Sequence, residues 1–353
     1  MLSVLSLILL YMVYYGDVFD RWPVSEISSA EKPRNDKYFV YSCRKGVSCG
    51  GWGDRQKGVV AVYLMANATN SKFRIQLVKP CDFTRALRPK SFNWRFNKDE
   101  VLNRPSTYQV FRNEYGRILR EKFTTANFTR YFSKDVTHLM INSEFSHYIR
   151  QNKLYSHNLA WLKDLSMAEI FATIWRDIMV LSPELQKRYK QFVETKVSGK
   201  KLVCAQIRVG QNRGNSDFLK DNPRMSAGQS LMVWDLFRKY TDPAKYKLFL
   251  TTDDEGVRSD AKRLFPGMLI ESDGPLGHVD LGPETDKTCD AFKKVILDQH
   301  ILSTCDVLIT SFSGIGRHAA YVRGKETDLY CLEEGKDLSP CNFSSTLFQP
   351  SDW

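Results

Sequence analysis

Apolar and polar positions along this chain of 353 residues trace a series of strands and helices. "KYFVYSC" (37–43) is a short apolar run that ends at a glycine-rich turn, and "KGVVAVYLMANATN" (57–70) puts Val59, Val60, Tyr63 and Leu64 on one helical face. Strand, glycine turn and helix make the opening unit of a parallel α/β sheet, with "KFRIQLV" (72–78) predicting the next strand. From Ser133 to Val193 the spacing is helical with weak β signals, and "MAEIFATIWRDIMVL" sits between Ser166, a residue suited to capping a helix, and Pro183. Val197 to Lys201 reads as a linker, because a fresh β/α alternation begins after it.

That second series runs "KLVCAQIRV" strand, "MVWDLFRKY" helix, "KLFLTTD" strand, "EGVRSDAKRLF" helix, "GMLIES" strand, "CDAFKKVILDQHILSTC" helix, "DVLITSF" strand and "SGIGRHAAYVRG" helix start. Alternation at these lengths predicts a doubly wound parallel sheet, with ligands at the C-terminal ends of its strands. Residues 37–196 and 197–330 are thus read as two domains, and 331–353 as a tail that packs back or loops. Internal repeats and low-complexity tracts are absent.

The N-terminus departs from this pattern. Leu2 to Tyr15 is uncharged and mostly apolar, the length of a secretory signal, so residues 1–22 are expected to be a signal anchor or a cleaved signal peptide. The polar run "EISSAEKPRND" then makes 23–36 a stem. Eight cysteines and the triplets Asn67-Ala-Thr69, Asn127-Phe-Thr129 and Asn342-Phe-Ser344 agree with a luminal chain. Cys43 with Cys49, and Cys331 with Cys341, are close enough to close small loops; Cys81, Cys204, Cys289 and Cys305 cannot be paired from sequence alone and do not have zinc-site spacing. A net charge of +11 suits an anionic partner, but the basic residues are interspersed with acidic ones and no nucleic-acid-binding signature accompanies them.

Four places could carry chemistry. Arg208 ends a strand at the ligand-binding edge, where a guanidinium can grip a diphosphate with two parallel hydrogen bonds; the plainer reading is an ion pair with a nearby carboxylate. "TSFSGIGRH" (310–318) puts Ser311, Phe312, Ser313 and Gly314 between a strand and its helix, so that N–H groups and hydroxyls would face an anion, or a serine would simply cap the helix. Asp253 and Asp254 in "TTDDEG" suggest a metal site less than they suggest stabilisation of a helix start. Asp298 lies in an apolar helix and could accept the N1–H and amino group of guanine. His300 and His318 read as structural.

Together these pieces resemble the GDP-fucose-dependent fucosyltransferase superfamily, the α1,6-fucosyltransferases and protein O-fucosyltransferases. "KKVILDQHILSTCDVLITSFSGIGRHAAY" looks like its donor motif of "ILD" helix, "D-x-L" strand and "T-F-S-S" turn, "CAQIRVGQ" like its arginine-bearing strand end, and "YSCRKGVSCGGWGDRQKG" like its first glycine loop. The resemblance spans about residues 36 to 325. It implies a GT-B fold, two Rossmann-like domains with parallel sheets and the donor cleft between them, and inverting transfer of L-fucose from GDP-fucose to a glycan or glycoprotein hydroxyl without metal or other cofactor.

On matching positions it implies that Arg208 binds the diphosphate and stabilises departing GDP, that Asp298 takes the guanine edge, and that Ser311, Phe312, Ser313 and Gly314 cradle phosphates or fucose. Gly51, Trp52, Gly53 and Asp54 would approach the donor from the first domain, Trp52 offering a face to sugar or acceptor. With the apolar N-terminal segment, the acceptor triplets and the cysteines, the reading is a type II membrane protein of the Golgi or endoplasmic reticulum lumen, the secreted form being the alternative. Gln206 and Gln211 stand where histidine and aspartate are usual, Asp54 and Arg55 where asparagine and glutamine are, and Gly314 replaces a serine. A non-catalytic luminal module that binds nucleotide sugar or glycan, and a GT-B transferase for another nucleotide sugar, are the competing readings. An inverting transfer needs a general base, for which Glu144, Asp54 and Glu169 are candidates.

Overall fold

A computed structural model describes residues 37–112, 121–212, 215–216, 227–277, 279–280 and 284–349. The expected membrane segment and stem, and the side chain of Gln211, lie outside that description. No helix among the described residues is long and apolar enough to cross a membrane.

The first half is built on β1 (Tyr38–Cys43), α1 (Trp52–Ala68), β2 (Lys72–Leu77), β3 (Leu87–Pro89), β4 (Ser106–Phe111) and β5 (Val136–Ile141). Its four-stranded sheet has the order β2-β1-β5-β4 and is parallel throughout. Strand β1 is buried along its whole length, as a central parallel strand covered on both faces must be. Strand β5 falls inside the stretch expected to be helical. Its residues "VTHLMI" are buried on both faces, so they carry no period-two alternation, and the polar His138 is absorbed by Ser42 of β1 at 2.8 Å. Strand β4 likewise goes beyond the elements read from the sequence.

Helix α2 (Met167–Ile178) is capped by Ser166, as expected, but stops before the strand β6 (Met179–Leu181), which pairs antiparallel with β3. Pro183 opens the next helix, α3 (Pro183–Phe192), where its missing N–H costs nothing. The chain then reverses through Ser198 and Gly199, both in left-handed conformations, before β7 (Lys201–Ile207).

The second half continues with α4 (Ser230–Phe237), β8 (Tyr246–Thr252), α5 (Glu255–Leu264), β9 (Leu269–Ile270), α6 (Asp286–Leu302), β10 (Val307–Ser311), α7 (Gly314–Arg323), β11 (Leu329–Leu332) and β12 (Ser339–Pro340). The order is β9-β8-β7-β10-β11-β12, with only β12 antiparallel. Counting from β7, the first five strands stand 3-2-1-4-5, the doubly wound arrangement. The C-terminal residues join in: β11 crosses position 330, and Leu347 and Phe348 are buried.

The two sheets are separate, but one hydrophobic core takes residues from both halves, among them Phe39, Trp52 and Phe171 with Phe292, Leu308 and Tyr321. Helix α6 causes this by reaching over the first half. Phe292 packs edge-on to Trp52, with ring centres 5.4 Å apart, and Cys289 is bonded to Cys81. Burying an aromatic side chain of this size stabilises by about 1.5–3 kcal/mol. Cys43–Cys49 and Cys331–Cys341 form the two small loops expected, and Cys204–Cys305 ties β7 to the segment after α6.

Candidate functional site

Each sheet has one place where the winding reverses, and loops diverge there to leave a crevice. In the first sheet it lies between β1 and β5, so the glycine loop after β1 and the turn containing Glu144 after β5 share it. In the second it lies between β7 and β10, followed by Arg208 and by Phe312–Ser313. The two places meet. A methyl group added at Gly53, in the first turn of α1, would lie 2.7 Å from the Gly314 Cα, and one added at Gly314 would lie 2.9 Å from the Gly53 Cα. Both glycines are required by this approach of backbone to backbone. Two helix N-termini, each carrying about half a positive charge, thus come together, which is unfavourable unless negative charge lies near them.

Part of that charge is built in. Asp54 accepts the Gly51 N–H at 3.0 Å and pairs with the buried Lys57 at 2.9 Å. The carboxylate in the glycine loop is therefore neutralised by its own helix, which relieves the repulsion it would exert on an anion. A second carboxylate, Asp280, comes from the other half. It accepts the Ser48 hydroxyl at 2.6 Å and the Cys49 and Gly50 N–H groups at 3.1 and 3.3 Å, and pairs with Arg55 at 3.1 Å and Lys79 at 3.3 Å. Burial opposes its ionisation, but the Ser48 hydroxyl, the Cys49 N–H and the two cations outweigh burial and hold the carboxyl below its ordinary range. Arg55 is fully enclosed and also bonds the Gly50, Lys79 and Val279 carbonyls. Gly50 itself is in the left-handed region, φ +77°, which a side chain would strain.

Trp52 does not offer a face to a ligand. Its indole is 1 % exposed among Phe83, Trp175 and Phe292, and its Nε1–H donates to Gln299 Oε1 at 2.6 Å. A large apolar ring that opens a helix rich in apolar residues goes to the core. Gln299 also exchanges hydrogen bonds with Gln56 at 3.0 and 2.8 Å and donates to the Ile315 carbonyl. Gln56 Oε1 lies 3.0 Å from His318 Nδ1, and since an amide oxygen only accepts, that nitrogen carries the proton. This buried network fixes α1, α6 and α7 together, and so fixes Gly53 against Gly314.

In the second half, Arg208 Nη1 lies 2.9 Å from Asp253, and its backbone N–H donates to the Ser311 hydroxyl at 2.9 Å. Asp253 also accepts the Val209 and Gly210 N–H groups, at 2.9 and 3.0 Å, so it aims the strand end as well as the guanidinium. Asp254 caps α5 through the Val257 N–H, as the plainer reading expected. Among the described residues no group of three or more His, Cys, Asp or Glu is placed to hold a metal ion. Ser313 caps α7 and Phe312 is partly exposed. Gln206 is buried and accepts the Ser311 hydroxyl at 3.2 Å; a methyl group at Gly316 would lie 2.8 Å from its Oε1.

Asp298 is 4 % exposed and already has partners: Lys294 at 2.7 Å on one oxygen and the Ser272 hydroxyl on the other, while Lys294 also donates to Ser272 at 2.8 Å. The three groups form a closed ring. Lys294 stands four residues before Asp298 on a helix, a spacing from which the pair is readable in sequence. Asp280, Gln56 and Gln299 carry no such signal, since their partners lie far away along the chain.

Of the three carboxylates considered as a base, Glu169 belongs to a capping box, where the Ser166 backbone and hydroxyl bonds lower its pKa. Asp54 and Glu144 both act electrostatically on Arg317, near the start of α7, whose guanidinium holds its proton less strongly because it is buried. His318 is pushed far below the usual histidine range by burial, and His300 to about 4 by burial, so both are neutral and structural.

No protein-family model and no curated protein matches this sequence. Solved structures do resemble it in fold. A mutant of Arabidopsis thaliana FUT1 in complex with GDP superposes with a TM-score of 0.60 at 14% identity, covering 91% of this chain and 74% of that one. NodZ α-1,6-fucosyltransferase co-crystallised with GDP gives 0.52 at 15% identity, covering 86% and 97%. The same NodZ enzyme soaked with GDP-fucose gives 0.50 at 14% identity, covering 81% and 92%.

Proposed function

We propose that this protein is a fucosyltransferase that moves L-fucose from GDP-fucose onto a glycan or glycoprotein hydroxyl, by an inverting reaction that needs no metal. The observation that carries the reading is the meeting of two helix N-termini at Gly53 and Gly314, with Arg208 tied through its backbone N–H to Ser311 at the strand end before α7, on a scaffold whose structural neighbours were crystallised with GDP or GDP-fucose. The acceptor oxygen bonds to the anomeric carbon of fucose while the bond from that carbon to the β-phosphate oxygen breaks, and GDP leaves with the electron pair. Arg208 turns from Asp253 toward the diphosphate, and the Gly314 end of α7 faces the charge that grows there. The backbone of Gly51 and Asp54 and the Phe312–Gly314 turn flank the same crevice, whereas the Ser311 hydroxyl is buried between Gln206 and the Arg208 N–H and positions the strand end rather than the donor. The guanine edge replaces Lys294 and Ser272 as the partner of Asp298. The acceptor proton goes to Asp54 or Glu144. The four disulfides support placement in an oxidising, luminal compartment, with the apolar N-terminal segment as anchor.

A second reading, a luminal module that holds a nucleotide sugar without turnover, is favoured by one observation: Arg208 and Asp298 both have internal ion-pair partners. A transfer assay on a glycan array with GDP-fucose, with and without EDTA, separates the two. The enzyme reading expects fucosylated product in both conditions and its loss in a folded Arg208→Ala variant. GDP binding without product would favour the module.

A further inference from the structure

Asn67, Asn127 and Asn342 each head an acceptor triplet, and each holds its side-chain amide in the same way. The Oδ1 accepts a bond from the protein: Asn67 from the Trp161 indole at 3.0 Å, Asn127 from the Arg130 N–H at 3.0 Å, Asn342 from the Ser344 N–H at 2.9 Å. None of the three Nδ2 groups donates to a protein acceptor among the described residues, so each is left for a bond from outside. Asn67 is distinguished by its neighbour. It ends α1, the helix that begins in the crevice, and Trp161 is 40 % exposed, a large indole left in water although its N–H is used. An exposed indole is a good surface for the apolar C–H face of a sugar.

We propose that Asn67 carries an N-linked oligosaccharide whose first N-acetylglucosamine packs on Trp161. The proposal rests on the luminal placement above. In the modification, Asn67 Nδ2 bonds to the anomeric carbon of N-acetylglucosamine and gives up a proton, which passes to solvent. The bond from that carbon to the diphosphate of a lipid-linked oligosaccharide breaks, and the lipid diphosphate leaves with the electron pair. Because Oδ1 is held by the indole, the new sugar emerges from the adjacent nitrogen of the same amide, beside the ring. The glycan covers the exposed face of Trp161 and stiffens the far end of α1.

The test uses the full chain made in secretory animal cells, with glycopeptide mass spectrometry and melting curves after an endoglycosidase has trimmed each glycan to one N-acetylglucosamine. Asn67 is expected to be occupied, and the trimmed protein to melt roughly 2 °C above Asn67→Gln. In a Trp161→Ala background that difference should vanish, whereas Trp161→Phe, which keeps a ring without the N–H, should retain part of it. An empty Asn67 beside an occupied Asn342 would overturn the site, and a melting difference that survives Trp161→Ala would overturn the packing. If all three asparagines are empty, the luminal placement fails with it.

Discussion

The starts of α1 and α7 touch at Gly53 and Gly314, yet they are held in opposite ways. The turn into α7 is built within its own half: Ser313 caps its own helix, Gln299 of α6 donates to the Ile315 carbonyl, and the preceding strand end bonds Gln206 and Arg208 within one sheet. The glycine loop into α1 is held from outside, by Asp280, which reaches it across more than two hundred residues of chain, and by Gln299 acting on Trp52. A locally built turn is a fixed wall for a ligand. A loop clamped by the opposite half ties the geometry of the crevice to the contact between halves.

This difference can be broken from either side. Asp280→Asn should have the largest effect, about 3–5 kcal/mol of stability in urea titrations, because it leaves the enclosed Arg55 without its counter-ion. Acid should act in the same direction. The folded-state pKa of Asp280 is depressed, so its contribution is present above the ordinary carboxylate range and is lost as pH falls through the lower folded value. Acid unfolding of the wild type should therefore begin below about pH 4, with Asp280→Asn lacking that component. Gly53→Ala comes next, at about 1–3 kcal/mol, since the added methyl must push α7 away from α1; nucleotide binding should weaken with it. Ser313→Ala should cost least, about 1 kcal/mol in the same titration, as expected for a lost helix cap.

The second half was the more legible in sequence. Its strands and helices alternate, and their spacing marks them one after another, from "KLVCAQIRV" through "SGIGRHAAYVRG". The first half hid β5, because a strand buried on both faces shows no alternation and the polar His138 in its middle is answered only in three dimensions, by Ser42, and it hid β4, whose "STYQVF" is half-exposed along most of its length and lacks an apolar run. The glycine loop was visible as a loop, but the fates of its side chains were not. Trp52 read as a face for sugar or acceptor, yet it is buried inside the protein, as are Arg55 and Lys57 after it. Asp298 was visible as a carboxylate in an apolar helix with Lys294 one turn before it; that Ser272 also holds it follows from packing of the 271–274 segment against α6.

If Arg208 and the paired helix starts form a site for a nucleoside diphosphate, GDP should bind there. Titration calorimetry of GDP into the full chain and into Arg208→Ala, with melting curves to confirm folding, measures this. Saturable GDP binding by the wild type, unaltered by EDTA, is expected, with a loss of at least about tenfold in affinity for Arg208→Ala at an unchanged melting temperature. A wild type that takes up no GDP, or an Arg208→Ala protein that binds it equally well, would rule such a site out.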